Sequence, residues 1–139
     1  MKLYVLDTDH LSLQQRGHPQ LLSRLNQTPP DEIAITVITA EEQLRGRLAQ
    51  IRSAKSDAEL LTAYRQLRET VYWLSRFRIL DFDDHAKQLF HNLLQQKLRI
   101  GTQDLRIAAV ALSLSATLIT RNWNHFGQVS GLNLEDWTK

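Results

Sequence analysis

Acidic side chains stand at several points of this sequence where an apolar run passes into a predicted helix. Asp7 and Asp9 follow the first such run, Glu42 follows the second, and Asp104 lies at the start of a later helix. Each acid alone is also explained as a turn former, a capping residue or a partner of the helix dipole. Acids held together in one small volume, however, raise one another's pKa unless a cation neutralises them. Because Mg²⁺ and Mn²⁺ prefer oxygen ligands, the set as a whole predicts a divalent metal site.

The bulk composition limits what other chemistry the chain can carry. Its 139 residues suit a single domain spanning 1–139, and the absence of Cys excludes disulfides, thiolate metal ligands and cysteine nucleophiles. A hydrophobic fraction of 42% and a charged fraction of 23% are ordinary for a globular protein. The net charge of +2 indicates only a mild preference for polyanionic partners. The sequence contains no signal-peptide core and no apolar run of membrane-spanning length, so we expect a cytoplasmic protein without a membrane partner.

The strands that would carry the acids are short and apolar. We predict strands at Leu3–Asp7, Ile33–Val37, Ile79–Phe82 and Ala116–Thr120, with a short last strand at Leu132–Leu134. We predict helices at Leu11–Arg16, Pro19–Gln27, Thr39 to about Arg52, Ser56 to about Phe77, Asp83 or Asp84 to about Leu98, and from Gly101 onwards. This alternation predicts an α/β fold with a central, mostly parallel sheet of four to five short strands and helices on both faces. In such sheets ligands bind beyond the carboxyl ends of the strands, where the acids lie.

Two of the acids have a competing role at a helix start. The segment "TAEE" matches the S/T-x-x-E capping box, with Thr39 as the N-cap and Glu42 three residues later. Asp9 would likewise cap the helix that begins at Leu11. The sequence alone leaves both roles open for each acid.

Four motifs, taken in chain order, resemble those of the PIN-domain ribonucleases, and among them the toxins of VapBC-type toxin–antitoxin pairs. The motifs are "YVLDTDHLS", "IAITVITAEEQLRG", "IGTQDLRIAAVAL" and "TLITRNWNHFGQVSGLNLEDW". The resemblance covers the whole chain with the family's order and spacing. It implies a single PIN-like domain with one acidic site.

The resemblance also implies a role for each acid. Asp7, Glu42 and Asp104 match the three metal-binding acids of the family. The fourth motif departs from the family pattern, because His125 in "NWNHF" stands where many members have Asp. His125 could ligate a metal as neutral imidazole, hold a metal-bound water, contact RNA phosphate or simply pack. Asp9, where Asn is commoner in the family, could supply the negative charge that is missing because His125 replaces an Asp.

The activity implied by the resemblance is hydrolysis of an RNA phosphodiester assisted by one or two Mg²⁺ or Mn²⁺ ions. Such an endoribonuclease toxin would inhibit translation and growth, would bind a VapB-like antitoxin, and would form a homodimer. The nearby side chains that could support the acids or contact RNA are Thr8, Asp9, Thr120, Asn122 and Arg106. Arg45, Arg47 and Arg121 could help to steer RNA, and Trp123 could stack on a base.

Two other functions compete with the nuclease. A PIN fold with His125 in place of an acid could act only as an RNA- or partner-binding module, although the retention of the other three acids argues against this. A phosphatase of the haloacid dehalogenase type would begin with a motif like "LDTDH". Its paired acids should follow Thr120, whereas the acid pair in "LDFDD" precedes Thr120 in this chain.

Overall fold

The computed structural model describes residues 2–139 and contains a five-stranded sheet in which all neighbouring strands pair in parallel. The strands are β1 (Tyr4–Leu6), β2 (Ile33–Thr36), β3 (Arg78–Leu80), β4 (Thr117–Ile119) and β5 (Asn133–Glu135). Their spatial order is β3-β2-β1-β4-β5. The predicted α/β class with a parallel sheet is therefore confirmed.

Helices connect the strands and cover the sheet. They are α1 (Thr8–Gln15), α2 (Pro19–Gln27), α3 (Val37–Ser53), α4 (Asp57–Ser75), α5 (Asp84–Gln95), α6 (Thr102–Ser113) and the short α7 (Trp123–Phe126). The bounds of α2 are those predicted, and Ser56 and Asp83 cap α4 and α5 as predicted. Helix α7 was not predicted. Within residues 2–139, every helix is too short or too polar to span a membrane.

Alternate residues of the central strands point into two hydrophobic cores. Val5 of β1 packs in the core that α5 and α6 cover, whereas Leu6 packs in the core beneath α1 and α2. Leu118 and Ile119 of β4 likewise face opposite sides. All four side chains are fully buried. Burial on both faces explains why these strands are continuous apolar runs rather than alternating ones.

The chain reverses its direction of winding between β1 and β4. Strands β1, β2 and β3 follow one another towards one edge of the sheet, and the chain then crosses back to place β4 on the other side of β1. The carboxyl ends of β1 and β4 therefore flank a topological switch point, where open α/β sheets bind ligands. Asp7 follows β1 and Thr120 follows β4, so both residues lie at this point.

The capping box predicted at Thr39 is wrong. Helix α3 begins at Val37, and the hydroxyl of Thr36 accepts a hydrogen bond from the Thr39 backbone N–H at 3.1 Å. Thr36 is the last residue of β2 and keeps an extended backbone, so it can cap α3 with no intervening loop. Because the cap lies three residues earlier than predicted, Glu42 falls in the second turn of α3 and is not needed as a cap.

The predicted cap of α1 is displaced in the same way. Asp7, rather than Asp9, is the N-cap of α1, and its carboxylate accepts a hydrogen bond from the Thr8 backbone N–H at 2.7 Å. Helix α1 therefore begins at Thr8 instead of Leu11. Strand β1 ends at Leu6 because Asp7 already turns the chain into the helix. Asp9 lies in the first turn of α1, where an acid suits the helix dipole.

Candidate functional site

Four acidic side chains meet at the carboxyl edge of the sheet, and we call this group the acidic cleft: Asp7, Asp9, Glu42 and Asp104. Asp7 follows β1, Glu42 lies on α3 and Asp104 lies in the first turn of α6. The hydroxyl of Thr8 donates to Glu42 Oε1 at 2.9 Å, which ties α1 to α3. The charges of Asp9 and Asp104 both act on Asp7. The structure thus brings together the acids that the sequence scatters over about a hundred positions.

Asp7 is the most enclosed member of the acidic cleft, with 5% of its surface exposed. Its Oδ1 accepts from the Thr8 backbone N–H, and its Oδ2 accepts from the Thr120 hydroxyl at 2.8 Å. Burial raises the pKa of Asp7 to about 7, the hydrogen bond from Thr120 opposes this rise, and the charges of Asp9 and Asp104 add to it. Two fixed hydrogen bonds orient the carboxylate, while its surroundings disfavour its charge.

The pKa values of Glu42 and Asp104 are raised by burial in the same way. Burial raises the pKa of Glu42, the Thr8 hydrogen bond opposes the rise, and the charge of Asp104 increases it. Burial also raises the pKa of Asp104, while nearby His125 lowers it and Asp9 raises it. Three carboxylates with raised pKa values in one cleft indicate a concentration of negative charge that the surrounding side chains leave partly uncompensated.

His125 stands beside Asp104, at the position that the sequence left open. Its Nδ1 lies 3.9 Å from Asp104 Oδ2 and 2.9 Å from the amide nitrogen of Asn122. Since an amide nitrogen can only donate, Nδ1 of His125 accepts this hydrogen bond from Asn122. The side chain of His125 is 47% exposed. Asn122 is therefore a residue that orients His125.

Asp9 belongs to a hydrogen-bonded chain that sequence reasoning missed. Its Oδ1 lies 3.0 Å from Nδ1 of the fully buried His10, and Nε2 of His10 accepts from the Trp137 backbone N–H at 3.2 Å. The other carboxylate oxygen of Asp9 lies 3.8 Å from Nε of Arg121. Asp9 is thus held by His10 and Arg121 beside Asp7. The signal available in the sequence was the direct succession of Asp9 and His10.

The arginines considered as RNA contacts have different surroundings. Arg45 pairs with Glu41 one helical turn away, and Arg47 donates to Thr70 of α4 at 2.9 Å. Arg106 donates to Gln103 and lies over the ring of Phe90, with 5.3 Å from Cζ to the ring centroid. These guanidinium groups therefore serve contacts between or along helices. Arg121, in contrast, lies 3.8 Å from Asp9 of the cleft.

The donor set of the acidic cleft fits a hard divalent cation. Its ligands would be carboxylate oxygens, which Mg²⁺ and Mn²⁺ prefer, and the raised pKa values are those expected where such a charge is missing. Within residues 2–139, no three His, Asp or Glu side chains already form a complete metal-binding group. Glu42 and Asp104 are only partly buried, so an ion from solvent can reach their carboxylates.

Comparison with known proteins points in the same direction. The chain matches the family model described as "PIN domain" over residues 4–132. It is 32% identical to "Ribonuclease VapC1" of Haemophilus influenzae strain R2866 over 141 residues, which cover 99% of each chain. It resembles the solved structures of VapBC-1 from nontypeable Haemophilus influenzae, with a TM-score of 0.78 and 26% identity, and of DNA-bound VapBC from Salmonella typhimurium, with a TM-score of 0.77 and 27% identity. Both superpositions cover 99% of this chain and 99% of the other.

Proposed function

Since the chain belongs to the PIN-domain family, we propose that it is an endoribonuclease and the toxin of a toxin–antitoxin pair, with its active site in the acidic cleft. The family membership predicted from the four motifs is confirmed. The observation that carries the proposal is the convergence of Asp7, Glu42 and Asp104 at the topological switch point, each with a pKa raised by burial. The similarity to a ribonuclease over nearly the whole length of both chains supports it.

We propose that Asp7, Glu42 and Asp104 hold Mg²⁺ or Mn²⁺. The ion, when bound, supplies charge neutralisation for the phosphodiester and lowers the pKa of the attacking water. Asp7 is the most strongly oriented of these acids, because Thr8 and Thr120 each donate a hydrogen bond to it. Thr8 also holds Glu42 through its hydroxyl, so one residue sets the relative position of two acids. Partners of this kind fix the direction of a ligand oxygen.

His125 takes the fourth position of the site in this proposal. Asn122 donates to Nδ1 of His125, and Nε2 would then donate to a phosphate oxygen of the substrate. The 3.9 Å separation of His125 from Asp104 supports a place at the rim of the cleft. Arg121 beside Asp9 would provide positive charge at the same rim.

The partners proposed for this chain are a VapB-like antitoxin and a second copy of the chain. The two solved structures reported above are of VapBC, which supports the first partner. Exposed apolar side chains on α3 and α4, among them Leu48, Leu61 and Tyr64, support an interface on these helices. RNA cleavage by an unrestrained toxin would inhibit translation and growth in the cytoplasm.

The direct test is cleavage of RNA by the purified protein with and without Mg²⁺ or Mn²⁺. Asp7→Ala, Glu42→Ala and Asp104→Ala should each reduce cleavage at least a hundredfold, because each removes a proposed ligand. Asp84→Ala is the matched control, since its carboxylate is 95% exposed on α5 and lies outside the cleft. Cleavage by Asp104→Ala at the wild-type rate would refute the site. Normal growth of bacteria that express the chain alone would refute the toxin role.

A binding-only role is the second candidate, and the replacement of an acid by His125 is the observation that favours it. This role predicts RNA binding without turnover, with or without added metal. The same cleavage assay distinguishes the two candidates.

A further inference from the structure

A cavity of about 520 Å³ lies beside the acidic cleft, and the proposed cleavage mechanism leaves it without a role. Its walls include Arg24, Arg121, Trp123 and Lys139, and we call it the Trp123 pocket. We propose that the Trp123 pocket is a subsite for one unpaired nucleotide next to the scissile phosphate, with the base stacked on Trp123 and a phosphate held near Arg121. This inference rests on the proposed nuclease function and names where its substrate is held.

The Trp123 pocket and the acidic cleft share one short segment of chain. The indole Nε1 of Trp123 donates to the backbone carbonyl of Thr120 at 2.9 Å, and the hydroxyl of Thr120 donates to Asp7 at 2.8 Å. Arg121, between them, reaches Asp9 at 3.8 Å while it also lines the pocket. A strand of RNA with one phosphate at Asp7 would therefore bring a neighbouring nucleotide to Trp123.

Trp123 offers an aromatic surface that is both exposed and fixed. It is 51% exposed, and its indole N–H is held by the backbone carbonyl of Thr120. The turn after α7 depends on Gly127, because a Cβ at that position would lie 2.5 Å from the Trp123 carbonyl oxygen. Every base has a flat face, so a fixed aromatic ring binds unpaired bases with little loss of freedom.

The Trp123 pocket is lined by charged side chains of both signs, with basic residues in excess. Arg24, Arg121 and Lys139 are the basic residues that line it, against the acids Glu135 and Asp136. The side chain of Arg24 is held in place, with its guanidinium 4.9 Å from the ring centroid of Trp137 and 3.3 Å from Glu135. Arg121 is 49% exposed and presents a planar donor group that suits phosphate oxygens. Positive charge here would offset the repulsion between the cleft and a polyanion.

The volume of the pocket suits a single nucleotide, because small-ligand sites begin at roughly 300 Å³. An antitoxin segment is the competing occupant. RNA is favoured because the pocket combines a half-exposed aromatic ring with arginine beside the proposed cleavage site. A protein segment would instead favour an enclosed apolar anchor pocket.

The test compares the RNA affinity of variants in the Trp123 pocket with that of two control variants on α4. Trp123→Leu removes the ring, Trp123→Phe keeps a ring without the indole hydrogen bond, and Arg121→Gln removes the charge. The controls are Tyr72→Leu and Arg68→Gln on α4, where Arg68 lies 5.5 Å over the ring of Tyr72 outside the Trp123 pocket. Affinity for a short labelled single-stranded RNA of mixed sequence is measured by fluorescence anisotropy in EDTA, so that metal-dependent cleavage does not interfere.

We expect Trp123→Leu to weaken binding about tenfold or more and Trp123→Phe to restore most of the affinity. Arg121→Gln should weaken binding several-fold and reduce the slope of log affinity against log salt by about 0.7. The Tyr72 and Arg68 variants should bind like the wild type. Circular dichroism of each variant establishes that it is folded.

Equal RNA affinity of the wild type and Trp123→Leu would overturn the subsite. If the wild type still cleaves RNA and Asp104→Ala does not, the nuclease function stands while the subsite fails. Unchanged RNA affinity together with weaker binding of a VapB-like antitoxin would assign the pocket to the protein partner and would also overturn the proposal. A wild-type protein that neither binds nor cleaves RNA would refute both the subsite and the nuclease.

Discussion

Replacing Asp7 with Asn should make the metal-free protein more stable at pH 8, although it removes a proposed ligand. In the folded protein, burial above all and the charges of Asp9 and Asp104 raise the pKa of Asp7 from 3.8 to about 7. The unfolded chain has an ordinary pKa at this residue, so the folded state binds the proton more tightly. Folding stability therefore falls as the pH rises from about 4 to about 7. Asn has the shape of Asp without the charge and escapes this loss.

The size of the effect follows from the difference between the two pKa values. About three pKa units correspond to about 4 kcal/mol once both states are ionised. Water that enters the cleft and small movements of the neighbouring acids reduce this figure, so we expect Asp7→Asn to be about 2 to 4 kcal/mol more stable than the wild type at pH 8. At pH 4 the two proteins should differ by less than about 1 kcal/mol, because the folded wild type is then protonated.

The assay is urea unfolding followed by circular dichroism between pH 4 and pH 9 in EDTA. Asp84→Asn is the control and should track the wild type, since this carboxylate is 95% exposed. Added Mg²⁺ should stabilise the wild type and leave Asp7→Asn nearly unchanged, because an ion that binds only the folded state shifts the folding equilibrium. The reasoning predicts that the difference in unfolding free energy between Asp7→Asn and the wild type grows from pH 4 to pH 8. If this difference stays constant, the folded protein does not raise the pKa of Asp7, and the reasoning is refuted.

Three further substitutions examine the supports of the acids. Thr120→Val removes the hydroxyl that donates to Asp7 at 2.8 Å, so Mg²⁺ affinity measured by calorimetry should fall about tenfold to a hundredfold; an unchanged affinity would show that this hydroxyl does not orient the ligand. His10→Ala removes a fully buried ring that hydrogen-bonds the Trp137 backbone N–H and Asp9. Urea unfolding should therefore show that the free energy of unfolding falls by about 2 to 4 kcal/mol. The same fall in His85→Ala, at an exposed position, would contradict this explanation. His125→Asp should bind Mn²⁺ more tightly than His125→Ala, since it adds a carboxylate near Asp104; equal binding by the two variants would place this position outside the metal site.

Much of the fold could be predicted because its signals are local. Helix α2 has Pro19 at its first position and the breaker segment at 28–30 after it, so both of its ends were predicted correctly. The parallel sheet followed from apolar runs that alternate with amphipathic helices. The helix starts near Asp7 and Thr39 were less accurate, because several residues in each segment can act as the cap. Which of them does so depends on where the strand leaves the sheet.

The acids of the site could be predicted from their positions after apolar strands and from the family resemblance, but their surroundings could not. The hydrogen bond from Thr120 to Asp7 joins residues 113 positions apart, and the bond from Trp137 to His10 joins residues 127 positions apart. No local pattern encodes such a pairing. It exists only once β4 has paired with β1 and the last segment of the chain has packed on α1.

The amino-acid order thus specifies which groups can act as ligands and which strands deliver them to the carboxyl edge of the sheet. The packed fold determines the pKa values, the orientation and the hydrogen-bond partners of those groups. Burial at the switch point raises the pKa values of Asp7, Glu42 and Asp104, and the turn after β4 sets Arg121 and Trp123 beside the acids. The reason is physical: charge, burial and hydrogen bonding depend on distances in space, which only the assembled sheet and helices bring into being.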